Sequence, residues 1–396
     1  MTVVDWLNAS VREREVAGDT CLARIRELEP SIEAWVQVAP QPPTGHGTLD
    51  GIPFGAKDIF ETRGLATEYG SSIYKGRIGT EDAAIVRELR ARGAVLLGKT
   101  RTTAFAYYTP GPTRNPRNVE HTPGGSSSGS AAAVAAGMVP FALGSQTKGS
   151  ILRPASFCGV TGFKPTYGVL STEGVLPLAK SFDTIGLFTH TAAGMRALWD
   201  ALGYHVAGDD DVVCGAPDPS LDVEPGMNAA FEQTLARLRD QGAVIRSIDI
   251  ANTFARLNIA TDTVMAYEAA EFHRERYEQY GSQLAHLGDL IRKGLDTSPA
   301  QYDEARRFID AQKEAFNELF AVTPIILTPA ATGPAPHGLA STGDPRMNAP
   351  WTALGTPAIS IPMPVSGLPL GLQLTADRGQ DARLLRAAVR IQQMLS

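Results

Sequence analysis

Apolar residues recur at helical spacing in the first thirty positions. Val11, Val16, Leu22, Ile25 and Leu28 stand among charges there, which predicts one or two amphipathic helices. The same period predicts helices over 82–92, closed by Gly93, and over 131–138, 192–202, 227–241 and 384–395. Two long helices with polar faces are expected over 264–294 and 298–320. Short apolar runs predict strands over 49–59, 94–97, 244–250, 325–327 and 358–361. Residues 40–47, 109–130, the approach to Ser150 and the stretch on to Gly174 are rich in Gly, Pro and Ser and read as loops.

Helix, glycine and buried strand alternate in the rhythm of an α/β protein. No internal repeat or linker interrupts it, so residues 1–396 are expected to form a single domain. Composition changes this picture little. The 396 residues are 43% hydrophobic and 20% charged, with a formal net charge of -6 and no polybasic run. That balance argues against a nucleic-acid partner. The longest small or apolar run, 130–143, is broken by Gly137 and Pro140 and is too short to span a bilayer. With no secretory pattern at the start, the cytoplasm is the expected compartment. Cys21, Cys158 and Cys214 have neither disulfide nor zinc spacing and read as three reduced thiols.

Two stretches stand apart chemically. One is His121-Thr122-Pro123-Gly124-Gly125-Ser126-Ser127-Ser128-Gly129-Ser130. The other is Gly144-Ser145-Gln146-Thr147-Lys148-Gly149-Ser150-Ile151-Leu152-Arg153-Pro154-Ala155. Either alone could be a flexible turn, and the absence of GxxxxGK[ST] and GxGxxG leaves a nucleotide-binding reading little support. Together with Gly51-Ile52-Pro53-Phe54-Gly55-Ala56-Lys57, and with Ser150 falling 24 residues after Ser126, they form a set. In this set the chain resembles the amidase signature family. The likeness continues through residues 157–166, 181–186, 327–330 and 367–373, and is densest over about 49–186.

The resemblance implies a single-domain α/β/α sandwich, with a large mixed sheet covered by helices on both faces. It implies a catalytic set of Lys57, Ser126 and Ser150, a cis peptide between Gly125 and Ser126, and an oxyanion hole from the amides of Thr147, Lys148, Gly149 and Ser150. Ser127 would support the site, and no metal or organic cofactor is required. The residues carry a physical case beside it. A serine hydroxyl needs an adjacent base, yet none of the seven histidines sits in a Ser-His-Asp context and no GxSxG elbow is present. A lysine can serve if burial brings its pKa down from ~10.4. A hydroxyl at Ser126 can bridge, because it both donates and accepts.

Several features are particular to this chain. Lys148 replaces a small residue, and its side chain could line the pocket or turn to solvent. Arg153 could tie loops together or, with Lys148, bind an acidic group on the substrate. Thr103-Ala104-Phe105 and Arg101 alter a neighbouring loop, and the chain is short over 189–321, the region that shapes the acyl pocket. The expected activity is hydrolysis of a small linear carboxamide, carboxylate-bearing in the sharper version, to an acid and ammonia or amine. The rivals are the glutaminase subunit of a tRNA-dependent amidotransferase, which works with a partner protein, and a silent binding protein of the same fold. Whether the chain forms a homodimer is left open.

Overall fold

The structure is a computed structural model describing residues 1–206 and 213–396. Eleven strands form one sheet: β1 (Trp35–Gln41), β2 (Pro53–Lys57), β3 (Val95–Thr100), β4 (Phe141–Gln146), β5 (Thr161–Lys164), β6 (Thr184–Thr189), β7 (Val213–Pro217), β8 (Val244–Ile248), β9 (Ile325–Pro329), β10 (Ala358–Pro362) and β11 (Gly371–Thr375). Their order is β1-β3-β2-β4-β6-β5-β10-β11-β9-β7-β8. β2 runs parallel to β3 and β4, and β7 runs parallel to β8 and β9. The central pairs from β4 through β11 are antiparallel. The architecture is the expected α/β/α sandwich. Every residue of β2, β4, β5, β6, β9 and β11 is buried, as strands covered on both faces must be.

Small side chains set the closest packing. The helix Ser128–Ala135 is built from Ser, Gly, Ala and Val, and it lies against β2, β3, β4 and β6. Gly129 in that helix could carry no side chain, since a Cβ would fall 2.2 Å from the Ala34 carbonyl oxygen. The helix Leu152–Cys158 packs on β5, β10 and β11, and Asp381–Leu395 on β10 and β11.

Several elements differ from the sequence reading. The approach to Ser150 is not all loop, since residues 141–146 form β4. The helix Leu152–Cys158 and strands β1, β6, β7 and β11 were not expected. The long helix foreseen over 264–294 is instead two, Ala251–Tyr280 and His286–Leu295. Gly281 and Ala285 adopt positive φ between them, at 49° and 47°. Among the described residues no helix is long and apolar enough to cross a membrane, and Cys21, Cys158 and Cys214 are free and buried.

Candidate active site

Three neighbouring strands bring their functional ends to one edge of the sheet. β2 and β4 are parallel, so Lys57 and Gln146 end them on the same side. β6 runs the other way, so Asp183, just before it, starts there too. Lys57 is completely buried, and its Nζ donates to Ser126 Oγ and Ser145 Oγ, each at 2.8 Å. Burial pulls its amine down to about 7, against the opposing pull of the Asp183 charge.

The Gly125–Ser126 peptide is cis. Gly124 before it has a φ of +81°, a conformation glycine adopts freely. The Ser126 carbonyl accepts from the Thr103 amide at 3.2 Å, which gives the Thr103 loop an anchoring contact beside the site. Ser127 Oγ donates to the Ser145 carbonyl and accepts from the Ser145 amide, at 3.2 and 3.3 Å. Ser127 therefore steadies Ser145, the second partner of Lys57.

Ser126, Lys148, Gly149, Ser150 and Arg153 line one cavity of about 30 Å³, room for a water or two. Ala106, Tyr107 and Tyr108 form another part of its wall. Phe105, Ala106 and Tyr108 hold φ of 54°, 58° and 31°, a costly backbone for non-glycine residues that tends to occur beside reactive centres. Tyr108, Lys148 and Pro345 also border an outer groove of about 720 Å³. Ser150 is half-buried, and its hydroxyl has no partner among the described residues.

The turn carrying residues 147–150 is fixed at several points. Gln146 Oε1 accepts from the amides of Ile151 and Leu152, at 2.8 and 3.1 Å. Gln146 Nε2 donates to Thr352 Oγ1 at 2.9 Å, and that hydroxyl donates to the Lys148 carbonyl at 2.9 Å. Thr147 Oγ1 donates to Asp183 Oδ1 at 2.5 Å. The amides of residues 147–150 are left without an acceptor among the described residues, an array of donors that could receive an oxyanion.

Arg153 is buried and mostly engaged by protein. Its Nε donates to the Thr342 carbonyl, and its Nη2 donates to the Gly125 carbonyl, both at 2.7 Å. Nη2 also reaches Thr342 Oγ1 at 3.3 Å, while Nη1 is buried and unpartnered. One edge of the guanidinium thus ties loops together, and one nitrogen remains for another ligand. Lys148 lines the cavity and also ion-pairs with Asp262 on the helix Ala251–Tyr280. The Lys148 side chain is mostly buried in this pair rather than turned to solvent. Cys158 Sγ donates to the Pro123 carbonyl at 3.5 Å, and burial pushes its thiol up to about 12. That keeps it a poor nucleophile.

Sequence reading brought out Lys57, Ser126, Ser150 and the 147–150 turn, and the fold gathers them. It assigned no role to Ser145, Gln146, Asp183 or Thr352. Asp183 carried a signal through its place in the 181–186 block, and Ser145 and Gln146 through theirs in the stretch that begins at Gly144.

The chain is also similar to known proteins. The Amidase family model matches residues 19–221 and 212–385. The chain belongs to the amidase family. It is 31% identical to the A subunit of glutamyl-tRNA(Gln) amidotransferase from Thermotoga maritima, over 98% of this chain and 94% of that protein. It is 34% identical to the same-named protein from Agathobacter rectalis, over 86% of this chain and 80% of that one. Among solved structures, one described as an amidase superposes with a TM-score of 0.89 at 25% identity, covering all of both chains. The structure of the Thermotoga maritima protein superposes with a TM-score of 0.86 at 29% identity, covering 99% of this chain and 94% of that one. As an amidase, this protein is an amide C–N hydrolase.

Proposed function

We propose that Ser150 attacks the carbonyl of a small linear carboxamide while Lys57 takes its proton through Ser126. The observation that carries this reading is the 2.8 Å contact of a wholly buried lysine, held near neutrality, with Ser126 Oγ. An amine of about 7 has a substantial neutral fraction at physiological pH, as a general base requires. The oxyanion is received by the free amides of residues 147–150, donors whose loss typically costs about 3–4 kcal/mol. The relay then returns the proton to the leaving nitrogen, so ammonia or an amine departs and an acyl-enzyme remains. Water attacks the ester carbonyl, giving its proton to the same relay, and the acid leaves as Ser150 is restored. Ser150 Oγ must approach Ser126 Oγ when substrate binds. A serine side chain has three staggered positions from which to do so, and catalytic hydrogen bonds often tighten only in the complex.

The free Nη1 of Arg153 supports a substrate carrying a carboxylate, with Lys148 as a second positive charge at the cavity wall. Because the other donors of Arg153 are engaged, this contact involves a single nitrogen rather than a fork. The uninterrupted sheet supports residues 1–396 acting as one unit.

Two versions of this chemistry compete. The sequence favoured a free-standing hydrolase, whereas the relatives favour a glutaminase-type component that works with partner proteins. Glutamine is itself a primary carboxamide bearing a carboxylate, so both versions use the same site. Ammonia release by the purified chain separates them, measured on glutamine and on a panel of carboxylated and neutral amides with Ser150→Ala as the blank. Turnover of glutamine only after a partner protein is added supports the glutaminase version. Efficient turnover of another carboxylated amide by the chain alone supports the free-standing enzyme. Activity retained by Ser150→Ala would sink both.

A further inference from the structure

Asp183 is a partly buried carboxylate that the chemistry above leaves unused. Its Oδ1 accepts from Thr147 Oγ1 at 2.5 Å, and its Oδ2 accepts from the amides of Leu178 and Ala179 at 2.7 and 3.1 Å. Asp183 thus fastens the first residue of the 147–150 turn to the loop that precedes β6. Ser145, Thr147 and Asp183 also line one cavity of about 830 Å³, on the Ser145 side of Lys57. The strand order β2-β4-β6 sets the lysine, the turn and this carboxylate side by side.

We infer that Asp183 is a positioning residue with two effects: it holds the oxyanion turn through Thr147, and it is the counter-charge for the Lys57 ammonium that forms as Ser150 loses its proton. This rests on the reading of Lys57 as the base. In that step Lys57 passes from neutral to positive inside the protein, where a fixed opposite charge favours the later state over the earlier. Lys180 and Glu271 line the same cavity as Asp183, and several other charged groups around this edge are paired. Glu268 is bonded by Ser181 and Tyr302 and ion-paired with Arg306; Lys148 pairs with Asp262; Asp58 and Lys99 pair beside β2. Asp183 is the one whose charge acts on Lys57. Burial pushes Asp183 itself up to about 6, partly offset by its Thr147, Leu178 and Ala179 donors, still below the about 7 of Lys57.

Asp183→Asn removes the charge and can keep the contacts. An asparagine oxygen can accept from Leu178 and Ala179, and its NH₂ can donate to Thr147, whose hydroxyl is able to reverse. The readout is the second-order rate at which a fluorophosphonate labels Ser150, followed from about pH 5 to 10, with melting curves to check folding. For Asp183→Asn, the half-maximal pH should fall by about one unit and the plateau rate by about tenfold. Thr147→Val should slow labelling several-fold, and Thr147→Ser should restore it. Profiles for Asp183→Asn that superimpose on wild type overturn the inference. If Asp183→Asn does not fold, Thr147→Val labelling within about twofold of wild type overturns it instead. Lys57→Ala, run alongside, separates the two levels. Wild-type labelling in that variant removes the base itself, whereas its loss beside an unaltered Asp183→Asn removes only the counter-charge.

Discussion

The guanidinium of Arg153 holds the carbonyl of Gly125 at 2.7 Å, so a residue three places beyond Ser150 fixes the peptide that delivers Ser126. The same side chain reaches Thr342 through Nε. A lysine has no planar fork with which to hold both carbonyls. Arg153→Lys should therefore lower kcat by about tenfold or more on every substrate. If Nη1 also meets a substrate carboxylate, KM should rise further for a carboxylated amide than for its neutral analogue. Steady-state kinetics on such a matched pair checks both parts, and unchanged kcat would remove the positioning role.

Gly149 has no room for a side chain. A Cβ there would lie 2.4 Å from Asn348 Oδ1 and 3.0 Å from Pro345 Cβ. Gly149→Ala should shift the turn and misdirect its amides. A fall in kcat of about a hundredfold is expected, the scale of one lost oxyanion donor, with KM moving little. Kinetics beside a melting curve distinguishes this from unfolding.

Gln146→Ala would strip the acceptor from two buried amides, those of Ile151 and Leu152. Each unsatisfied donor costs about 1–3 kcal/mol. Denaturant unfolding should show a clear loss of stability, together with a lower kcat. A fully active variant of wild-type stability would contradict the role given to this side chain.

Lys57 should make stability depend on pH. Its folded pKa of about 7 lies below the unfolded value of ~10.4. Between these values the unfolded chain binds the extra proton, so this group's contribution to stability rises with pH across that window and is least favourable below about 7. Lys57→Met should be inactive yet gain stability over wild type near pH ~6, with the advantage shrinking toward pH ~10. Melting temperatures across that range test the sign.

These contacts show where sequence reading reached and where it stopped. Lys57, Ser126 and Ser150 were legible through the resemblance to the amidase signature family, which the Gly-, Ser- and Lys-bearing stretches along 49–153 carry. β4 was not, because its Gly144, Ser145 and Gln146 resemble loop composition and a strand covered on both faces shows no alternation. The break between Ala251–Tyr280 and His286–Leu295 was missed because an apolar helical period runs on through both. Gln146, Asp183 and Thr352 are ordinary side chains whose roles arise from contacts. Gln146 and Thr352 meet across 206 positions, a distance no local pattern encodes.

The turn bearing Ser150 leans on Thr352, and the helix that follows it leans on Thr342 through Arg153, both from the last quarter of the chain. A nascent polypeptide that has emerged only as far as residue 200 would carry every reactive group and still lack the supports that align them. On the proposed mechanism, alignment of those groups would await docking of the distal segment.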